Sequence, residues 1–260
     1  MTHRPRKRLS QNFLRDQTIL AKLLSAINPK PDQHFVEIGA GLGALTCKLL
    51  PLVKHLDAIE IDRTLIAPLA ENCKNLGSLM IHEADALKIN LGALQQQQQP
   101  MRIVGNLPYH ISTPLLFHIL HYAHQITDIH FMLQKEVVDR LAATPGSKTY
   151  GRLSIMVQYQ CEVYSLFHVP PHAFYPQPKV NSAIVKIIPR TIPPYLAKDP
   201  VTFSNIVRAA FNQRRKTLRN SLRDYKLTPN SWESLKIDPN DRPEQLTVED
   251  FVKISNIVSL

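Results

Sequence analysis

Between residues 34 and 133, short apolar runs alternate with stretches of helical period, and this alternation restricts the fold more than any other feature of the chain. The runs are "HFVEI" (34–38), "LDAIEI" (56–61), "LMIHE" (79–83), "RIVG" (102–105) and "DIHFML" (128–133), with helical stretches such as 43–50, 62–74 and 113–122 between them. Strands that take turns with helices run mostly parallel, because each helix carries the chain back across a face of the sheet. Two later β-rich runs, "CEVYSLFHV" (161–169) and "SAIVKII" (182–188), have no helix between them and are expected to form an antiparallel pair at the sheet's end. The expected fold is α/β, with a Rossmann-like, mostly parallel sheet.

"PRTIPPYLAKDP" (189–200) holds four prolines and reads as a linker. Beyond it the pattern turns helical, over 201–223, near 231–237 and over 247–257. The expected domains are 1–190, carrying the sheet and a basic N-terminal segment, and a small helical domain over 201–260.

The net charge of +10 is concentrated rather than spread. Arg4, Arg6, Lys7, Arg8 and Arg15 meet no acid in the first fifteen residues. Arg208, Arg214, Arg215, Lys216, Arg219, Arg223 and Lys226 face Asp224 alone within 204–226. Two such patches on a near-neutral body are the footprint expected of a protein that holds a polyanion. An ideal helix over 204–226 places Arg214 inside the apolar stripe, and a break near Asn212-Gln213 removes that conflict. No apolar run approaches the length of a membrane span, so no membrane partner is expected. Cys47, Cys73 and Cys161 are odd in number and lack a C-x-x-C pair, which argues for a reducing compartment and against zinc. His118, His121 and His124 have no acid or thiol beside them, and a wet helix face explains them without a metal.

The chemistry-bearing residues fall at strand ends. "VEIGAGLGALT" (36–46) is a strand, a glycine-rich turn and a helix start, in which Gly39 and Gly41 let backbone approach a ligand. The next strand ends at Glu60, where an acid accepts hydrogen bonds from the hydroxyls of a bound ribose. Asp62 is its structural rival, as the N-cap of "RTLIAPLA". Asp85 ends the third strand, where it can accept from an adenine amine with the Ala86 N–H beside it, or simply close a turn. NAD and S-adenosylmethionine both contain adenosine, and these positions do not separate them.

The fourth strand ends in Asn106-Leu107-Pro108-Tyr109. For a methyl donor such as S-adenosylmethionine, an exocyclic amine of a nucleobase is a poor nucleophile, since its lone pair is delocalised into the ring. Two oxygen acceptors aimed at its hydrogens favour a pyramidal nitrogen and stabilise the charge that develops on transfer. The Asn106 side chain offers one and the Leu107 carbonyl the other, held by the restriction that Pro108 places on its neighbour. Tyr109 offers a face for the base, worth roughly 1–3 kcal/mol in comparable sites. A proline turn with an aromatic plug is the plain alternative.

With these residues in place the chain resembles the small-subunit ribosomal RNA adenine dimethyltransferases. The blocks that carry the resemblance are "RKRLSQNFLRD" (6–16), "EIGAGLGALT", "IEID", "ADAL", "GNLPYHISTPL", "FMLQKEV" (131–137), "YGRLS" (150–154), "AFYPQPKVNSA" (173–183) and "FNQRRKTLRNSL" (211–222). The resemblance implies a class I S-adenosylmethionine-dependent methyltransferase sheet. It places cofactor contacts at Asn12, Leu14, Gly39, Gly41, Glu60, Asp85, Ala86 and Asn106, with S-adenosylhomocysteine as the product and no metal. It implies catalysis by Asn106, Leu107, Pro108 and Tyr109, with Phe174 as a second aromatic wall. RNA phosphates would meet Arg6, Lys7, Arg8, Arg208, Arg214, Arg215, Lys216 and Arg219. The implied substrate is two adjacent adenines in a hairpin loop near the 3′ end of small-subunit rRNA, within an immature small ribosomal subunit, met by a cytoplasmic monomer.

Three alternatives stand beside this. A large-subunit rRNA methyltransferase of the antibiotic-resistance type shares the sheet and a similar tetrapeptide. A non-catalytic assembly or transcription factor could use the same fold, although an intact Asn106-to-Tyr109 motif speaks against it. A nicotinamide-dependent oxidoreductase fits Gly39-x-Gly41-x-x-Ala44 but leaves Asn106 and Tyr109 unexplained.

Overall fold

A computed structural model of the chain describes residues 5–6, 9, 11–95, 99–213 and 215–258. Two compact units emerge from its packing, one of Met1–Val138 with Tyr164–Pro189, the other of Asp139–Val163 with Arg190–Leu260.

The first unit opens with β1 (Phe13–Leu14) and α1 (Gln17–Ile27). The pattern reading assigns no helix to 17–27, yet its signals are local. Asp16 caps it by accepting from the Thr18 and Ile19 N–H groups, and Leu20, Leu23 and Ile27 recur at the spacing of one buried face. There follow β2 (His34–Ile38), α2 (Thr46–Leu49), β3 (His55–Glu60), α3 (Arg63–Asn72), β4 (Ser78–Glu83), β5 (Met101–Asn106), α4 (Ser112–Leu120) and β6 (Ile126–Gln134). Helix α5 (Lys135–Leu141) and α6 (Arg152–Gln158) lead to β7 (Cys161–Val169), β8 (Phe174–Tyr175) and β9 (Ser182–Pro189).

The seven-stranded sheet has the order β4-β3-β2-β5-β6-β9-β7. The pairs from β4 to β6 are parallel and β9 runs antiparallel to β6, so the two late strands do close the sheet at one end. From β2 the chain steps outward through β3 and β4, then returns to place β5 on the other side of β2. That reversal opens a crevice at the carboxyl ends of β2 and β5, the switch point at which such sheets receive ligands. Every residue of β2 is buried, as is β5 up to Gly105, as expected of central strands covered on both faces. Gly105 lies opposite Ile38, and a Cβ there would stand 2.4 Å from the Ile38 carbonyl oxygen. Only glycine lets these two strands close on each other.

Two polar clusters inside this unit are tightly paired. Arg102 on β5 bonds both oxygens of Asp128 on β6 at 2.8 Å and donates to the Ile27 carbonyl at 2.7 Å, fixing the end of α1 to the sheet. Asp57 receives His34 and His82 at 2.7 and 2.6 Å, and this pairing, with His55 near by, holds its carboxyl low against the upward push of burial.

The second unit is helical. It holds α6, α7 (Pro200–Asn212), α8 (Leu218–Ser221), α9 (Pro229–Leu235) and α10 (Val248–Val258). Its core is built on Tyr150, Phe203, Trp232 and Phe251. Helix α7 ends at Asn212, with Gln213 out of helical geometry, so the 204–226 stretch breaks where the misplaced arginine requires. Residues 139–163 join this unit because Ala143, Tyr150 and Ile155 belong to its core. The proline-rich linker marks one passage of the chain between the units; this excursion is a second, which a boundary drawn from composition does not represent.

Candidate active site at the carboxyl ends of the strands

The turn after β2 brings Gly41 over the end of β3, with φ +61°. Its N–H donates to Glu60 Oε2 at 2.8 Å, and the Asp62 N–H donates to Oε1 at 2.9 Å. A Cβ on Gly41 would press on the Phe13 ring at 3.1 Å, so the turn is fitted to the N-terminal segment as well as to the acid. Glu60 is 5% exposed, and burial drives its carboxyl above the ordinary range despite the two N–H groups.

Asp62 caps α3 by accepting from the Thr64 N–H. It also accepts from the Gln11 amide at 2.8 Å and meets the Arg6 guanidinium at 3.1 Å. Burial pushes this carboxyl up, but the bonds from Thr64 and Gln11 and the charge of Arg6 outweigh it and hold it low. The acid beside Glu60 is therefore both a helix cap and the anchor of the N-terminal segment.

Asp85 accepts from the Leu87 N–H at 3.0 Å through one oxygen, closing a turn, and Ala86 next to it is buried. At the end of β5, the Asn106 side-chain nitrogen donates to the Asn12 carbonyl at 2.8 Å. That bond fixes the amide's rotation and commits its oxygen to accepting. The Leu107 N–H donates to the Met132 carbonyl at 3.2 Å, and Leu107 is buried. Pro108 holds φ −57° and ψ 128°, an extended step that turns the chain into a short helical turn over Tyr109–Ile111. The Tyr109 hydroxyl meets Ser182 Oγ at 2.7 Å, so the ring is held by the first residue of β9, and burial raises its phenol.

A cavity of about 800 Å³ collects these groups. Asn12, Leu14, Gly39, Gly41, Glu60, Asp85, Ala86, Asn106, Leu107, Pro108 and Tyr109 all line it. Its size lies within the range of small-molecule sites. Phe174 is not among the lining residues. It pairs with Leu14 across the β1–β8 ribbon and is 5% exposed in the hydrophobic core. Of the basic residues, Arg6 pairs with Asp62, while Arg208, Arg215, Lys216 and Arg219 are exposed on the helical unit. Lys7, Arg8 and Arg214 lie outside the described residues. His118 donates through Nε2 to the Ile89 carbonyl at 2.9 Å, a structural role.

Among the lining residues that escape sequence reasoning are Gln11, Glu37 and Arg15. Gln11 carries a signal only in its place beside Asn12. Glu37 is an acid in an otherwise apolar strand; its carboxyl is fully buried, and burial pushes it up to about 8. Arg15 reads only as one more basic residue.

The strand order, with the switch-point cavity and the acids at the end of β3 and after β4, is that of the class I methyltransferase fold. The likeness extends to solved structures. A dimethyladenosine transferase from Plasmodium falciparum matches with a TM-score of 0.78 and 29% identity, over 93% of this chain and 95% of that one. The 23S rRNA methyltransferase ErmE matches with a TM-score of 0.76 over 96% of this chain and all of that one, but at 23% identity this speaks for the fold alone. A sequence model of the family "Ribosomal RNA adenine dimethylase" matches residues 2–260, and the chain belongs to that family. It is 51% identical to the "Ribosomal RNA small subunit methyltransferase A" of Chromohalobacter salexigens, over 99% of this chain and 92% of that protein. The protein of the same name from Pseudomonas aeruginosa is also 51% identical, over 98% of this chain and 94% of its own length.

Proposed function

We propose that this chain transfers methyl groups from S-adenosylmethionine to the exocyclic amines of two adjacent adenines in the 3′-terminal hairpin loop of small-subunit rRNA. It would act as a cytoplasmic monomer on immature small ribosomal subunits. The observation that carries the reading is the Asn106 amide, whose nitrogen is committed to the Asn12 carbonyl and whose oxygen is thereby left to accept from an amine. Near 50% identity over almost the whole length to small-subunit enzymes supports the substrate. A large-subunit substrate has only likeness of fold in its favour.

The cavity suits the cofactor's parts: Glu60 beside the Gly41 turn for ribose hydroxyls, and Asp85 with Ala86 for the adenine. Bound there, S-adenosylmethionine supplies an electrophilic methyl carbon on a sulfonium. The chain's own part is positioning and charge stabilisation. The Asn106 oxygen and the Leu107 carbonyl accept from the two amine hydrogens and stabilise the cation that grows on nitrogen. The proton stays on that nitrogen until the carbon–nitrogen bond has formed, so an amide suffices where a general base would otherwise be needed. Tyr109, anchored through Ser182, offers its face to the flipped base. Phe174 completes the clamp in this reading only by turning out of the core beside Leu14. Loop adenines are unpaired, so extruding one costs little. Arg6, Lys7 and Arg8, and separately Arg208, Arg214, Arg215, Lys216 and Arg219 of the helical domain, hold phosphates and fix orientation without reading sequence.

The test is methyl transfer from labelled cofactor to unmethylated small ribosomal subunits, beside Asn106→Ala and naked rRNA. Label on two neighbouring adenines that is lost in the variant is the expected result; label on large-subunit RNA overturns the substrate.

A further inference from the structure

The β1–β8 ribbon carries a feature that the chemistry above does not use. Arg15, directly after β1, lies with its guanidinium carbon 4.1 Å from the centre of the Tyr175 ring. The Arg15 N–H donates to the Ala173 carbonyl at 2.8 Å, so the backbone that presents the guanidinium is pinned to the residue just before the strand that presents the ring. Phe13 pairs with Tyr175 in the same ribbon. Although stacked on each other, both side chains are exposed, with Tyr175 50% accessible. Arg15 lines the cavity and Tyr175 does not, which puts the pair at the cavity's rim. The segment from β8 to β9 is tied down at both ends, by Phe174 against Leu14 and by Ser182 against the Tyr109 hydroxyl. The platform is thus built on the same short piece of chain that holds the ring assigned to the target base.

We infer that the Arg15–Tyr175 stack seats the nucleotide next to the target adenine, its base lying on the guanidinium plane and its phosphate facing the Arg15 charge. The inference rests on the RNA-methylating reading given above. A guanidinium lying on an aromatic ring is planar and delocalised, and stacks a nucleobase on its open face while attracting phosphate. Stacking tolerates any base, because every base has a π face. Dimethylation removes an adenine's amine hydrogens but leaves that face intact. The platform therefore holds a neighbouring adenine equally well before and after modification, as an enzyme must when its two targets are adjacent.

The experiment places 2-aminopurine at the nucleotide flanking a target adenine in a hairpin RNA and adds the full-length protein with S-adenosylhomocysteine. Quenching of the probe on binding reports stacking. In the wild type the probe is quenched. In Tyr175→Ala and Arg15→Ala the quenching is lost, and KM for RNA in methyl transfer rises about tenfold, while the KM for cofactor of Tyr175→Ala stays within twofold. Tyr175→Phe, which keeps the ring, behaves as the wild type. Unchanged quenching and unchanged KM for RNA in Tyr175→Ala overturn the platform, as does loss in Tyr175→Phe equal to that in Tyr175→Ala. Absence of methyl transfer to adenine by the wild type overturns the underlying function instead, so the two failures are distinct.

Discussion

Replacing Asn106 by aspartate separates two accounts of the site. If the residue were merely an oxygen acceptor, a carboxylate would serve as well or better, because it faces a developing cation. The structure adds a second requirement, since the side-chain nitrogen donates to the Asn12 carbonyl at 2.8 Å. In Asn106→Asp that donor becomes an oxygen, and two oxygens meet where a hydrogen bond stood. Losing the bond costs about 1 kcal/mol, and leaving the carbonyl facing an unpaired acceptor adds about 1–3 kcal/mol. A total near 2–4 kcal/mol corresponds to roughly 30- to 1,000-fold, at 1.36 kcal/mol per decade. The expected result is a fall of that size in kcat/KM for labelled methyl transfer at pH 7.5, comparable to that of Asn106→Ala. Acidification should restore part of it, because a protonated aspartic acid can again donate to Asn12. Activity of Asn106→Asp within twofold of the wild type, flat with pH, would refute the oriented-amide argument.

Other outcomes follow from the same geometry. Gly105→Ala drives a Cβ to 2.4 Å from the Ile38 carbonyl oxygen, backbone against side chain with nowhere to yield, and should lower stability by about 2–3 kcal/mol in thermal unfolding. Tyr109→Phe loses only the 2.7 Å contact with Ser182 and should keep activity within several-fold, whereas Tyr109→Ala should raise KM for RNA by about tenfold or more; equal losses would remove the stacking role. Glu37→Gln should stabilise the protein increasingly at higher pH. Burial raises the folded carboxyl to about 8 from an ordinary 4.5, so the wild type's stability is fully present below 4.5 and falls as pH rises through 8. A melting-temperature difference between Glu37→Gln and wild type that does not grow between pH 5 and 8 would contradict that burial argument.

Each strand from β2 to β6, and β7 and β9, is legible in the sequence because a strand announces itself in its own apolar run. The strand-end residues from Gly39 to Tyr109 are legible for a related reason: a crossover fold delivers successive carboxyl ends to one edge. Residues 139–163 are not, since nothing local tells a helix which of two cores it will join. Phe174 is not either, because "AFYPQP" specifies a ring beside prolines and leaves open whether it faces a cavity or the core. Cys47 and Cys73 look remote in sequence, yet a Cβ on Gly43 would meet both sulfurs, at 2.8 and 3.2 Å.

The amino-acid sequence by itself determined the strands of the main sheet, its mostly parallel order and the chemical types waiting at the strand ends, all of which depend on periodicity and backbone permissiveness over a few neighbouring residues. Tertiary structure alone decided that β5 returns to the side of β2, that Asn12 orients an amide 94 positions away, and that Arg6 and Gln11 fasten onto Asp62. Those contacts join groups far apart along the chain, and their energies exist only once the apolar faces have been buried and the strands have taken their order.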